Sequence, residues 1–357
     1  MLIVPLVHLS LLEVVWVNEL INQMFRVTHL VYDSTIVTGI QEFIDLWKSD
    51  CNEIECQTSG STGIPKKISL RKSHMRHSAQ TTGNFFDFSP TKKLLLCLHP
   101  STIGGKMQIV RALEFNMELL VIPPSRNPFE HIEIPIHFCS LVPLQLKQIL
   151  NVSPEKINLF KYILLGGAPI DKALLPQIQS YQTEFFEGFG MTETISHIAL
   201  KNLTKSENRF TTLSSYSISE SNGKLIINAP EIGVYQLQTN DLIKASSSKT
   251  FEWIGRADFT INSGGYKFQP EQLEFTIAPY ISSLFFFTKE PDPTYGEIIV
   301  MIVEKKQSSQ DENSIREICK RELPIYAQPK KIQFITQIIS TPSGKINRIE
   351  TLKSINF

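Results

Sequence analysis

From Lys93 onward, short apolar runs alternate with amphipathic stretches of helical length, a rhythm that restricts the chain to an α/β architecture. The apolar runs fall at residues 94–98, 119–122, 136–142 and 162–165, and the amphipathic stretches at 105–115 and 144–150. Such runs suit strands buried on both faces, and the segments between them supply covering helices. Ligands of these sheets gather at the loops leaving the carboxyl ends of the strands, and several glycine-rich loops sit in that position here.

After Leu213 the texture changes to shorter strands with turn signals, at 223–228, 233–237, 241–244 and 250–254, which predicts a small β-rich layer. The last hundred residues read as a helix (270–277), two strands (284–288, 298–303), a helix (311–322) and a strand (331–335). They predict a separate small α+β domain. Its boundary near Asp258 divides the chain into a large domain, 1–257, and a small one, 258–357. Polar stretches at 246–249 and 305–313 read as loops.

Charge excludes some partners. Lys plus Arg and Asp plus Glu number 35 each, so there is no net field to hold nucleic acid or an acidic membrane face, and phosphate binding has to be local. The five cysteines (Cys51, Cys56, Cys97, Cys139, Cys319) are an odd set without metal-ligand spacing, expected as reduced, mostly buried thiols of a cytoplasmic protein. The apolar segment 1–17 lacks a basic leader, carries His8 and Glu13, and is short for a span; a buried strand, or a misplaced start of the reading frame, is expected there rather than membrane insertion. Monomer and homodimer both stay open.

The strongest local signal is Thr58, Ser59, Gly60, Ser61, Thr62 and Gly63, followed by Ile64, Pro65 and Lys66. Backbone N–H groups, hydroxyls and a cation in one loop can wrap a polyphosphate, although the spacing is not that of the Walker loop. Taken alone it also reads as a Gly/Ser surface turn. Further segments follow: Gly166, Gly167, Ala168; Gly188, Phe189, Gly190, Met191, Thr192, Glu193; Asp241; Arg256 with Asp258; Gly264, Gly265 with Lys267; and Pro342, Ser343, Gly344, Lys345. Singly these are a strand-to-helix turn, a solvated carboxylate, turn chemistry and a surface lysine.

Together, and in this order, these segments resemble the adenylate-forming superfamily of acyl-CoA synthetases, luciferases and peptide-synthetase adenylation domains. The likeness spans 58–345, with Lys67 standing where many members have glycine. It implies ATP, Mg2+ and coenzyme A as cofactors and co-substrates, and a small-molecule carboxylic acid as the partner. Residues 58–63 and Lys66 would hold phosphate, and Gly166, Gly167 and Ala168 would pack on adenine within the site that Gly188, Phe189 and Gly190 help to shape. Thr192 would contact the α-phosphate, and Glu193 would hold magnesium, as a hard cation requires. Asp241 would grip the ribose and Arg256 the ribose and phosphates, with Lys267 assisting. Asp258 would be the hinge, Gly264 and Gly265 would line the thiol channel, and Lys345 would bridge the attacking carboxylate and the α-phosphate.

The chain is short for that superfamily, with about 57 residues ahead of the phosphate loop, so a reduced N-terminal subdomain is expected. Compactness, together with the stretches 103–112 and 190–200, resembles the o-succinylbenzoate-CoA ligases of menaquinone synthesis. His99, Lys106 and His197 fall in segments that line the acyl pocket of relatives, while Arg111 reads as structural. A ligase for another aryl or short-chain acid, and an adenylation enzyme loading a carrier protein, are the alternatives.

Overall fold

The computed structural model describes residues 14–15, 25–57, 66–168, 170–304, 311–341 and 346–357. Of the apolar start, only the strand β1 (Val14–Val15) is described, paired antiparallel with β2 (Val27–His29). Helix α1 (Ser34–Lys48) begins at Asp33, whose carboxylate accepts from Thr35 N (2.9 Å) and Ile36 N (3.2 Å), satisfying two otherwise orphaned donors. Its buried face is Ile36, Ile40, Phe43, Ile44 and Trp47, one stripe at helical spacing. A separate hairpin of β3 (Glu53–Gln57) and β4 (Lys67–Arg71) leads into α2 (Lys72–Phe85).

The expected alternation follows: β5 (Lys93–Leu96), α3 (Ile103–Glu114), β6 (Glu118–Val121), β7 (Ile136–Leu141), α4 (Pro143–Val152), β8 (Phe160–Leu165), the short α5 (Leu175–Ile178) and β9 (Glu184–Gly190). The parallel strands lie in the order β2-β6-β5-β7-β8-β9. Successive side chains point to opposite faces, so Leu94 and Leu96 enter one core while Leu95 and Cys97 enter another. Helix α3 packs Met107, Ile109, Val110 and Ala112 into the first core, and α4 packs Leu146, Ile149 and Leu150 into the second. The connections from β5 and β7 therefore leave on opposite faces. This creates a switch point between their carboxyl ends, where open α/β sheets bind ligands.

Beyond β9 the strands turn antiparallel: β10 (His197–Asn202), β11 (Phe210–Thr212), β12 (Ser217–Ser221), β13 (Lys224–Ala229), β14 (Val234–Ala245) and β15 (Thr250–Arg256). They are hydrogen-bonded onward from β9 in the order β10-β11-β15-β14-β13-β12, so the β-rich layer expected from sequence continues the same sheet. β14 is a single strand of 12 residues where the sequence suggested two. The polar stretch read as a break stays in the strand because Thr239 Oγ1 donates to Leu225 O (3.1 Å) and accepts from Asp241 N (3.1 Å).

The small domain contains β16 (Ile261–Ser263), β17 (Tyr266–Phe268), α6 (Pro270–Ile277), β18 (Phe285–Asp292), β19 (Gly296–Glu304), α7 (Glu312–Glu322), β20 (Lys331–Ile335) and α8 (Arg348–Ser354). Its sheet runs β17-β16-β19-β18, with β20 parallel to β19. Its cores, one around Ile261, Phe287, Met301 and Ile315 and one around Phe286, Val300 and Ile302, share no residue with those of the large domain. The changeover falls between Phe251 and Ile261. Cys56, Cys97, Cys139 and Cys319 are buried and Cys51 is exposed, all as free thiols. Among the described residues, no helix is long and apolar enough to cross a membrane.

Candidate active site

The parallel strands β5, β7, β8 and β9 end at the same side of the sheet, and the loops there carry much of what the sequence singled out. His99 follows β5, exposed, its Nδ1 2.6 Å from Ser101 Oγ, in a turn closed by Thr102 Oγ1 donating to His99 O (2.7 Å). Gly166, Gly167 and Ala168 follow β8, and the Gly166 N–H donates to Leu141 O (3.1 Å), tying the ends of β7 and β8 together. Gly188, Phe189 and Gly190 close β9, and Thr192 and Glu193 lie on the short 3-10 turn Thr192–Thr194 between β9 and β10. Thr192 is buried while the Glu193 carboxylate is exposed at the carboxyl end of the parallel strands. Gly190 permits a close approach: a Cβ there would overlap the Ser196 carbonyl and the His197 Cα.

Behind this loop lies a buried charge. Arg111, on α3, is 2% exposed and yet faces no carboxylate among the described residues. Its Nη1 donates to Gln108 Oε1 (2.9 Å) and its Nη2 to Ser196 Oγ (2.6 Å), while Nε is buried without a partner. Burial lowers the guanidinium to about 9. His197 is buried beside it, Nδ1 3.2 Å from Ser196 Oγ and Nε2 3.3 Å from Thr82 Oγ1. Burial, and secondarily the Arg111 charge, hold its imidazole well below the usual range, so it is neutral at pH 7. Lys106, five residues earlier on α3, donates to Glu55 O (2.8 Å) and fastens the helix to β3. Arg111, read from sequence as structural, is thus the buried cation of this helix. No sequence signal marks it, since an arginine at helical spacing ordinarily reads as a solvated face.

A second polar group is built on the pairing of β14 with β15. Asp241 stands opposite Arg256 in register and is 6% exposed. It accepts from Trp253 Nε1 (2.9 Å), and its other oxygen lies 3.8 Å from Arg256 Nη1. Arg256 Nη2 pairs with Asp258 Oδ2 at 2.7 Å. The sequence-predicted ribose contact, phosphate contact and hinge are therefore side by side. Gly264 and Gly265 form the β16–β17 turn, both at positive φ as a tight two-residue hairpin demands, with Lys267 exposed on β17.

Helix α6 meets β15 at the same place. Gln272 Nε2 donates to Ile254 O (2.7 Å), and a Cβ at Gly255 would lie 2.8 Å from Glu271 Oε2 and 3.1 Å from Gln269 Oε1. Burial pushes the Glu271 carboxyl up to about 7, against the opposing pull of Arg348. The sequence reading did not single out Glu271.

Thr58, Ser59, Gly60, Ser61, Thr62, Gly63 and Lys345 lie outside the described residues. The stems of the first loop are described: Gln57 pairs with Lys67 across β3 and β4, and Lys66 is exposed beside them. Lys67 is bound to Glu55 at 2.9 Å, which partly neutralises its charge. Among the described residues no cluster of three His, Cys, Asp or Glu side chains could cage a metal. Glu193 alone suits a Mg2+ ion that takes its remaining ligands from phosphate and water.

Comparison with known proteins bears on this arrangement. Residues 56–228 match the family model for AMP-binding enzymes, and residues 289–345 that for the AMP-binding enzyme C-terminal domain. A solved acyl-CoA synthetase (AMP-forming)/AMP-acid ligase II-like protein from Dyadobacter fermentans is 31% identical. The match covers 91% of this chain and 95% of that one, with a TM-score of 0.60. The Bacillus subtilis o-succinylbenzoate coenzyme A synthetase, solved with ATP and magnesium ion, is 20% identical over 83% of this chain and 69% of that one. Its TM-score of 0.73 speaks for the fold. The 2-succinylbenzoate–CoA ligase of Escherichia coli K12 is 28% identical, covering 82% of this chain and 66% of that protein. A long-chain-fatty-acid–CoA ligase of Mycobacterium tuberculosis is 25% identical, covering 83% and 66%. The chain spans about two thirds of the length of these curated relatives.

Proposed function

The chain belongs to the AMP-binding enzyme family, and from that premise we propose that it is an ATP-dependent ligase joining a carboxylic acid to coenzyme A through an acyl-adenylate, with o-succinylbenzoate as the acid. A free carboxylate is a poor acyl donor because its leaving group would be oxide. Adenylation supplies AMP as the leaving group and releases pyrophosphate. The nucleotide would lie across the loops after β8 and β9, with Thr192 at the α-phosphate and Asp241 and Arg256 on the ribose side. A magnesium ion on Glu193, when bound, would neutralise phosphate charge. Lys345 would orient the attacking carboxylate against the α-phosphate. Movement about Asp258 would then withdraw it and bring Gly264 and Gly265 to the thiol.

The observation that carries the choice of acid is Arg111. A guanidinium held in the interior with neutral partners and an unpartnered Nε suits a ligand that brings its own negative charge. A keto-diacid does so, because one carboxylate reacts while the other persists. Neutral His197 adds a flat, uncharged wall beside it. The deciding experiment supplies ATP, magnesium and coenzyme A with o-succinylbenzoate, benzoate or acetate and reads pyrophosphate. Turnover confined to the diacid is expected; faster turnover of benzoate or acetate overturns the choice of acid, and AMP release with none overturns the ligase reading.

A further inference from the structure

Between β9 and β10 the backbone makes a turn that its sequence does not favour. Ile195 has φ 68° and ψ −49°, and the Ser196 N–H donates to Thr194 O at 2.7 Å. These are the dihedrals and the i to i+2 bond of a γ-turn, a strained conformation, here occupied by a β-branched residue at positive φ. A glycine would adopt it freely. The side chain is 1% exposed and belongs to the large-domain core.

The surroundings force the conformation. Thr194 is fully buried; its Oγ1 accepts from Met191 N (2.9 Å) and donates to Ser196 O (2.8 Å), while Ile195 N donates to Thr192 O (2.9 Å). Gly190 lies directly against the Ser196 carbonyl and His197 Cα, which leaves no room for a wider bend. The ladder of β9 with β10 shifts register just there, between His197 and Ala199.

On one side of the turn Thr192 and Glu193 stand at the carboxyl end of the parallel strands. On the other side Ser196 Oγ receives Arg111 Nη2 and reaches His197 Nδ1. Two residues separate the carboxylate from the hydroxyl. We propose that Ile195 is a positioning residue whose strained turn fixes the nucleotide-facing Glu193 and the acid-facing Ser196–Arg111 pair in one mutual geometry. Strain over-determined by its neighbours and located at a reacting centre is the pattern expected of preorganisation. The functional half of this inference rests on the adenylation reading above; the strain itself does not.

The test compares Ile195→Ala with Ile195→Gly, which remove nearly the same side chain but differ in backbone freedom; Ile195→Val serves as the packing control. At ordinary φ, alanine is the more stable of the two. Here the order should invert, with the glycine variant melting higher by about 2 °C or more. Activity should run the other way. The glycine variant should lose about tenfold or more in kcat for diacid-dependent pyrophosphate release relative to alanine, and the Ser196 amide should exchange with solvent about tenfold faster. Alanine melting higher than glycine removes the strain. Inverted melting with equal kcat and equal amide exchange removes the positioning role. If the wild type activates no acid, the adenylation reading fails, while melting order and amide exchange still decide the inference.

Discussion

Replacing Arg111 with methionine separates a side chain that holds the fold from one that waits for a ligand. Bringing a guanidinium down from its ordinary range to about 9 corresponds to a cost of about 5 kcal/mol for keeping charge at that position. At pH 7 both folded and unfolded chains hold the proton, so the full cost is present; it is relieved only as pH rises above about 9, where the unfolded chain binds more protons. Against it stand the bonds to Gln108 and Ser196, about 1.5–3 kcal/mol each for a charged donor. Methionine removes both sides of this balance, so Arg111→Met should change stability by no more than about 2 kcal/mol in either direction. Loss of a buried ion pair with a substrate carboxylate is larger, about 2–5 kcal/mol. The diacid kcat/KM should therefore fall about 10²-fold or more while that for benzoate changes little. The assay is pyrophosphate release with each acid, beside a urea unfolding curve. Equal losses on both acids, or a stability loss well beyond 2 kcal/mol, would refute the reasoning and return Arg111 to a structural role.

Three further outcomes are expected. Lys345→Ala should abolish acyl-adenylate formation and spare thioester formation from supplied adenylate; equal loss in both half-reactions argues against the hinge scheme. Asp241→Asn keeps an acceptor for Trp253 Nε1 but removes the charge facing Arg256, and should raise the KM for ATP roughly tenfold, read by initial rates. Glu271 has its carboxyl raised from 4.5 to about 7, so the folded chain binds the extra proton between those values. Its contribution accordingly weakens stability as pH rises through that window, by about 3 kcal/mol at most, and Glu271→Gln should flatten this slope in denaturant titrations from pH 5 to 8.

Long, periodic segments were legible in the sequence because their physics is local. Helix α6 and strand β20 have the bounds that the apolar pattern and Pro270 indicate, and the runs behind β5 to β8 became strands buried on both faces. The β16–β17 hairpin and α8 were not legible, being too short to show a period. The unity of β14 depends on Thr239 finding Leu225 O on a neighbouring strand, a partner sequence spacing does not reveal. The candidate site loops were singled out by their joint resemblance to the adenylate-forming superfamily, each alone reading as something more ordinary. The burial of Arg111 and the left-handed Ile195 arise from tertiary packing, and their residue types argued for something plainer.

The contact of α6 with β15 includes polar atoms: the Gln272 amide on a carbonyl, and the Gln269 and Glu271 side chains close to a glycine that offers no side chain. The Gln272 amide can exchange its carbonyl partner for water at a net cost of only about 1 kcal/mol. An oily seam would stick shut, because parting it would expose hydrocarbon. A seam with polar groups in it is less adhesive, so the movement proposed about Asp258 would not require either domain to loosen its own interior.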